Sequence, residues 1–357
     1  MKTVLKSLII NNFRLFSVKS FNFSEKMNII VGENATGKTS LLEAINILGV
    51  TKSFRTHEDK EILKRNEPFY FVKGSFICGD EETNVVISYT NKGKKITLNG
   101  VVLKTLSSYI GKIKVLAFSP DDLLIVKGEP KNKRNYLNQN IGMIEKEYLK
   151  LIILYNKILK ERNEILKNIE KFDQARNLLN VYTIKIIDIA KKIIIYRKKY
   201  IDKISKYANE HLKKISSSTE ELIIKYKPSI DVEELEVKMQ ANILNDIESK
   251  NTYFGPHKDS FDILINEYDV CSYGSQGQQK SVAIALKLAI TDLIKEKNEE
   301  AIIVLDDVFG ELDIKRQEEL IKSLKEKGQV FISTTDISLI TQEIIKESKI
   351  IKMDEGE

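Results

Sequence analysis

The segment Gly32-Glu33-Asn34-Ala35-Thr36-Gly37-Lys38-Thr39 carries the pattern G-x-x-x-x-G-K-T. Chemistry on a phosphate needs these residue types at this spacing. Glycines let the backbone turn its N–H groups onto phosphate oxygens. The start of a helix adds positive potential. A lysine reaches the β- and γ-phosphates, and a hydroxyl holds Mg²⁺. Here those roles fall to Gly32, Gly37, Lys38 and Thr39. A second constellation, Asp306-Asp307, closes the apolar run Ala301–Leu305. A carboxylate at the C-terminal end of a buried strand is placed to hold Mg²⁺ through water, and the next residue can orient an attacking water. A third, Tyr273-Gly274-Ser275-Gln276-Gly277-Gln278-Gln279-Lys280, stands directly ahead of a helical pattern. Ser275 suits an N-cap, and the glycines leave backbone N–H groups exposed. Taken alone, this loop reads first as a helix cap.

The elements needed to position these residues are legible in the same pattern. A strand over Met27–Val31 precedes the first motif and an apolar-periodic helix over Leu41–Leu48 follows it. Val4–Ile10, Phe69–Ile77, Asn84–Tyr89, Lys94–Leu98 and Lys112–Phe118 read as strands, with hairpin turns at Asn91-Lys92-Gly93 and Asn99-Gly100. From Lys133 to about Ile215 the chain has no proline and one glycine, Gly142. Leu151, Tyr155, Ile158, Arg162 and Ile165, then Tyr182, Ile186, Ile189, Ile193, Tyr196 and Tyr200, recur at 4/3 spacing. That spacing predicts a pair of coiled-coil-like helices, turning within the polar stretch Asn168–Asn177. The pair either projects as an arm or packs as a compact helical subdomain. Helices over Gln278–Lys295, Ile314–Lys325 and Leu339–Lys346 and a strand over Val330–Ser333 follow. The expected fold is α/β, with one body assembled from residues 1–130 and 246–357 and a helical domain, residues 131–245, inserted between.

Composition narrows the class of function. The 357 residues hold 57 basic and 51 acidic side chains, a net charge of +6, with 42% hydrophobic residues. Disorder is excluded at that hydrophobic content, and the mild basic excess points to a polyanionic partner. The excess is local: Ile141–Ile215 contains 18 basic and 9 acidic residues. Its densest part is Lys191-Lys192 and Arg197-Lys198-Lys199, candidates for phosphate contacts with DNA, against the plainer reading of a solvated helix face. Two distant cysteines and three histidines, His57, His211 and His257, show no disulfide framework and no zinc spacing. No apolar run approaches the ~18–20 residues needed to cross a bilayer. The first residues lack a signal-peptide core, so a cytoplasmic protein with no membrane attachment is expected.

The order of motifs carries a resemblance. The P-loop, a helical insertion, the Ser275 loop, the acidic strand end and then Glu311-Leu312-Asp313 resemble the ABC-type ATPase heads of SMC-like DNA-repair proteins. Within that group, Asn11-Asn12-Phe13-Arg14, Ala117-Phe118-Ser119-Pro120-Asp121-Asp122-Leu123, Gly255-Pro256-His257-Lys258-Asp259, Gly274–Lys280 and Leu305–Asp313 are similar, in order, to segments of the RecF family of recombination mediators. The similarity spans nearly the whole chain. It implies ATP and Mg²⁺ as cofactors. It implies nucleotide contacts from Arg14, Gly32, Glu33, Asn34, Ala35, Thr36, Gly37, Lys38, Thr39 and Ser40, with Ser275, Gly277 and Gln278 acting from a second copy across an ATP-dependent homodimer. Asp306 is then the metal residue beside Thr39, Asp307 stands with Lys38 in the catalytic role, and Asp313 belongs to a loop across the dimer interface. The implied function is an ATP-dependent clamp on single-stranded and gapped DNA that works with RecO and RecR and helps load RecA in repair, replication restart and the SOS response.

Three departures from the ABC pattern stand out. Asp307 replaces a glutamate, which implies slow, weak hydrolysis. No histidine follows the strand at Val330–Ser333, leaving Thr335 or Asp336 for the γ-phosphate sensor. No glutamine loop is evident; Phe118-Ser119-Pro120 occupies its region. His257 reads as a residue that orders its Gly-Pro loop. Two alternatives remain at this point: an ATPase subunit of a membrane transporter, and a scaffold that uses ATP only as structural glue.

Overall fold

The computed structural model describes residues 1–56, 58–169, 175–216, 220–308 and 312–353. Part of the expected turn within Asn168–Asn177, and Phe309, Gly310 and Glu311 of the acidic motif, lie outside the described residues. Along the chain the elements run β1 (Thr3–Phe13), β2 (Phe16–Asn22), β3 (Met27–Val31), α1 (Lys38–Val50), β4 (Phe69–Cys78), β5 (Glu81–Thr90), β6 (Gly93–Leu98), β7 (Val101–Val102), β8 (Val115–Phe118), α2 (Leu123–Lys127), α3 (Pro130–Ile144), α4 (Lys146–Lys167), α5 (Ala175–Ser216), β9 (Leu222–Lys227), α6 (Leu235–Ala241), α7 (Ile243–Ser249), β10 (Ser260–Ile265), β11 (Tyr268–Asp269), α8 (Val270–Tyr273), α9 (Gln276–Lys295), β12 (Ile302–Leu305), α10 (Ile314–Lys325), β13 (Val330–Thr334), α11 (Gln342–Lys346) and β14 (Ser348–Lys352).

Two compact units divide the chain. The first comprises Met1–Asp122, His211–Ser218 and Ile284–Glu357; the second comprises Leu123–Glu210 and Thr219–Ala283. The division falls at residue 122 rather than 130, and residues 246–283, with the Ser275 loop, group with the helices.

In the first unit, β3, β8, β12, β13 and β14 form a parallel sheet in the order β14-β3-β13-β12-β8. β12 and β13 are buried at every residue, as expected of strands covered on both faces. An antiparallel sheet, β2-β1-β4-β5-β6-β7, forms the second layer. Its β5–β6 and β6–β7 hairpins turn at Asn91-Lys92-Gly93 and Asn99-Gly100, where the sequence signals stand. α1 is buried at every residue except Thr39. Its Leu41, Leu42, Ile45 and Leu48 share one core with Leu8, Tyr70 and Val85 of the antiparallel sheet and Val304 and Phe331 of the parallel sheet. Buried around its whole circumference, the helix must also satisfy its polar groups inside, and Glu43 is bonded to Arg14 and Asn46 to the Lys52 carbonyl.

The second unit holds α2 to α8, the first turns of α9 and an antiparallel sheet β11-β10-β9. The predicted stripe is largely inward: Tyr155, Ile158, Arg162, Ile186, Ile189, Ile193 and Tyr200 are all buried. These helices do not stand alone. Lys133 donates to the Phe261 carbonyl at 2.8 Å and Arg134 to the Asp259 carbonyl at 3.0 Å, tying α3 to the start of β10. Two expected elements are shorter than their patterns suggested. The strand at Lys112–Phe118 starts at Val115. Of Leu339–Lys346 only α11 is α-helical, because Asp336 caps a separate 3-10 turn at Ile337–Leu339.

Candidate nucleotide site

The P-loop leaves the C-terminal end of β3 and enters α1 through Gly37, whose φ of 103° lies in the left-handed region. A Cβ there would stand 2.7 Å from Phe16 Cζ, so the position excludes every other residue. Glu33, Asn34 and Ala35 are exposed at the crest of the loop, while Gly32, Gly37, Lys38 and Ser40 are buried. The Lys38 ammonium donates to the carbonyls of Gly32 and Glu33, each at 2.7 Å. The loop thus curls around its own cation, and a phosphate entering the crest meets that charge at the centre of the turn.

β3, β13 and β12 are adjacent and parallel, so their C-terminal ends deliver three groups to one place. Thr39 Oγ1 donates to Asp306 Oδ1 at 3.0 Å. Ser333 Oγ, from β13, lies 3.1 Å from the same oxygen and accepts the Asp307 N–H at 2.9 Å. Burial, aided by the neighbouring Asp307, pushes the Asp306 carboxyl up to about 6. A buried carboxylate facing a hydroxyl is a hard-oxygen donor pair. It suits Mg²⁺, which keeps waters and substrate phosphates as its remaining ligands. Among the described residues there is no cluster of three or more His, Cys, Asp and Glu that would form an all-protein metal cage. Asp307 is exposed at the surface beside this pair.

Two basic residues lie close by. Arg14 was expected at the nucleotide. It takes a left-handed backbone, φ 54°, and its guanidinium grips the fully buried Glu43 of α1 at 2.6 and 2.8 Å. That bond raises the Arg14 pKa, and a further donation reaches the Glu61 carbonyl at 2.8 Å. Its charge is therefore spent on α1, one turn beyond Lys38. Arg55, unremarked in the sequence, acts electrostatically on Asp306 and partly opposes the rise that burial causes. Where a glutamine loop was sought, Asp122 accepts from the Ser119 N–H at 3.0 Å and pairs with Lys287 at 2.9 Å. Desolvation raises the Asp122 pKa against that pairing.

Neither expected sensor residue points clearly to the task. Asp336 is exposed and its carboxylate accepts the Ser338 N–H at 2.8 Å. Thr335 is exposed. Ser333, buried and bonded to both aspartates, was missed; the only signal was a serine ending the apolar run Val330-Phe331-Ile332. Asp313 caps α10 by accepting the Arg316 N–H at 2.9 Å.

In the second unit the Ser275 loop closes a capping box. Ser275 Oγ accepts the Gln278 N–H at 3.2 Å, and Gln278 Oε1 accepts the Ser275 N–H at 2.7 Å. Gln278 Nε2 in turn donates to Glu220 at 2.7 Å. Gln279 is buried and donates to the Val270 and Cys271 carbonyls, fastening the loop to α8. Ser275 itself stays exposed. Nearby in sequence, His257 bridges Tyr155 Oη at 2.6 Å and the Thr252 carbonyl at 3.0 Å. The loop makes room for this: a Cβ on Gly255, φ 135°, would lie 2.4 Å from Tyr155 Oη.

The basic cluster of α5 requires a correction. Lys192, Lys198 and Lys199 are exposed, and Lys191 is half-buried. Lys191 pairs with Glu236 at 2.7 Å and Lys192 with Asp188 at 2.9 Å. Arg197 is 1% exposed and is no surface cation. It donates to Asp259 at 2.8 Å, the Pro256 carbonyl at 2.6 Å, Tyr148 Oη at 3.1 Å and Asn138 at 3.0 Å. A guanidinium so enclosed reaches no phosphate.

Comparison with known proteins agrees with this geometry. The model of the RecF/RecN/SMC N-terminal domain matches residues 4–356. The DNA replication and repair protein RecF of Shouchella clausii is 37% identical over 367 residues, covering 99% of this chain and 98% of that protein. RecF of Lactobacillus johnsonii is also 37% identical, with the same coverage over 366 residues. A solved structure of the recombination mediator RecF with ATP, in the RecFOR pathway, superposes with a TM-score of 0.89 at 34% identity, covering 95% of this chain and 94% of that one. The Smc head of Pyrococcus furiosus, at a TM-score of 0.56 and 15% identity over 98% of this chain and 93% of that one, shares the fold. No helix among the described residues is long and apolar enough to cross a membrane. With an ABC-type ATPase head, an inserted helical region and relatives matched end to end, the chain belongs to the RecF family.

Proposed function

We propose that this chain is an ATP-switched DNA clamp of recombinational repair, acting in the cytoplasm. The observation that carries the reading is the convergence of Thr39, Asp306, Asp307 and Ser333 at the ends of three adjacent strands beside a complete P-loop. The loop backbone and Lys38 bind the phosphates. Thr39 and Asp306 hold Mg²⁺, which when bound neutralises phosphate charge. Asp307 orients the water. Its short side chain and the missing glutamate fit a slow ATPase that serves as a timer, with DNA as its stimulus.

The Ser275 loop supplies the other half of the site. Its exposed Ser275 at the start of a helix suits the γ-phosphate held by a second copy, so ATP binds the dimer differentially and draws two chains together. Hydrolysis removes the bridging phosphate and releases them. The relatives' names, a DNA replication and repair protein and a recombination mediator of the RecFOR pathway, support a role in repair with RecO and RecR; binding of single-stranded and gapped DNA and assistance to RecA loading extend that reading. Membership of this family replaces the transporter-subunit alternative.

Sedimentation of two variants with ATP tests the reading. Lys38→Met should lose ATP binding and dimerisation together. Ser275→Arg should keep ATP binding and lose the dimer. A Ser275→Arg protein that still dimerises would sink the assignment of that loop to the partner's site.

A further inference from the structure

Asp307 holds a backbone conformation that L residues rarely adopt, φ 51°. Something must keep it there. Its own N–H is bonded at 2.9 Å to Ser333 Oγ, a side chain contributed by the neighbouring strand β13. Ser333 is 0% exposed and occupies a position where Val330, Phe331 and Ile332 have set an apolar pattern. A hydroxyl in such a place is unfavourable unless fully bonded. This one is: besides accepting from Asp307, its oxygen lies 3.1 Å from Asp306 Oδ1, 3.4 Å from Asp307 Oδ1 and 3.5 Å from the Leu305 carbonyl. It has one proton and two carboxylates within reach. No other described side chain bonds to both aspartates.

We propose that Ser333 is the positioning residue of the hydrolytic site. Its hydroxyl oxygen accepts the Asp307 N–H, pinning the Asp306–Asp307 peptide in its left-handed turn, while its single proton is donated to the Asp306 carboxylate. Asp307 is thereby held beside Asp306 instead of swinging into solvent. This rests on the reading of Asp307 as the residue that orients water. Ser333 touches no phosphate; it acts through Asp307. It replaces, by a different geometry, part of the ordering that an ABC head otherwise obtains from residues this chain lacks.

The test compares Ser333→Ala, Ser333→Cys, Ser333→Thr and Asp307→Asn in the full chain. Three quantities are measured: affinity for a fluorescent ATP analogue with Mg²⁺, ATP-driven dimerisation by sedimentation, and single-turnover hydrolysis. Ser333→Ala should keep affinity and dimerisation within about twofold and slow hydrolysis about 100-fold, the scale of a misplaced catalytic group. The rate constant falls while the half-saturating ATP concentration does not move. Ser333→Cys, nearly the same size but a weak hydrogen-bonding group, should fall with Ala. Ser333→Thr, which keeps the hydroxyl, should recover most of the rate. Wild-type hydrolysis by Ser333→Ala and Ser333→Cys while Asp307→Asn is slow overturns the proposal alone. Wild-type hydrolysis by Asp307→Asn overturns the underlying role of Asp307. Parallel loss of nucleotide affinity and rate in Ser333→Ala assigns the serine a purely structural part and also overturns the proposal.

Discussion

Arg197 and Asp259 form an ion pair at 2.8 Å with each side chain about 1% exposed. The pair joins the middle of α5 to the first residue before β10, and Asp259 also accepts from Tyr226 and from the Ser229 N–H. Removing one partner leaves the other charged and buried. Such losses cost about 3–5 kcal/mol. Arg197→Gln and Asp259→Asn should each lower the thermal midpoint markedly and to a similar degree, and the double variant should lose much less than the sum. Additive losses in a denaturation cycle would show that the pair is not coupled.

This pair also marks where reading the sequence stopped. The P-loop, the acidic strand end and the Ser275 loop were legible because each is contiguous and its residue types have a phosphate chemistry. Arg197 was misplaced because an arginine in a Lys-rich run looks solvated until Asp259, 62 residues away, is brought to it. Ser333 was invisible for the same reason, since its partners come from another strand. The antiparallel strand β2 was missed because its buried residues, Phe16 and Phe21, do not alternate cleanly, and β14 because most of it is exposed. Short partly exposed strands have no strong period of two.

With Arg197 removed from the surface set, Lys191, Lys192, Lys198 and Lys199 remain as the candidate DNA contacts of α5. Each cation placed on a phosphate releases counterions and steepens the fall of affinity with salt. Replacing the four by Gln should reduce the slope of log affinity against log salt by roughly 2–3 for single-stranded DNA, since about 0.7 is lost per phosphate contact. ATP affinity should not change. Fluorescence anisotropy across a salt series decides the matter. An unchanged slope would move the DNA surface off α5.

His257 gives the second unit a pH dependence. Burial, opposed by the bond to the Thr252 carbonyl, lowers its pKa to about 4. The folded pKa is below the unfolded one, so the unfolded chain binds the extra proton first. This contribution is intact above about pH 6.5 and drains away as pH falls toward 4. Between pH 6.5 and 5 the loss should be about 2 kcal/mol. His257→Gln keeps a polar group between Tyr155 and Thr252 but cannot titrate. Urea denaturation at several pH values should show a flatter curve for that variant; a parallel curve would place the acid sensitivity elsewhere.

Glu220 sets how firmly the Ser275 loop is held before it meets a nucleotide. Gln278 spends its carbonyl oxygen on the Ser275 N–H and its amide nitrogen on the Glu220 carboxylate. The two bonds fix the amide's orientation, so the capping box presents one geometry rather than several. A hydrogen bond to a charged group contributes about 1.5–3 kcal/mol, and part of that is ordering the partner's phosphate would otherwise have to supply. Glu220→Ala should therefore weaken ATP-driven dimerisation by about tenfold, equivalent to about 1.4 kcal/mol. The P-loop is unaltered, so monomer affinity for ATP should stay the same. Glu220→Gln retains an acceptor and should recover most of the dimer. If the alanine variant dimerises better than wild type, the carboxylate acts in the opposite sense: its charge opposes the approaching phosphate and outweighs the ordering of Gln278. Sedimentation at low and high salt separates the two, because only the charge effect is screened.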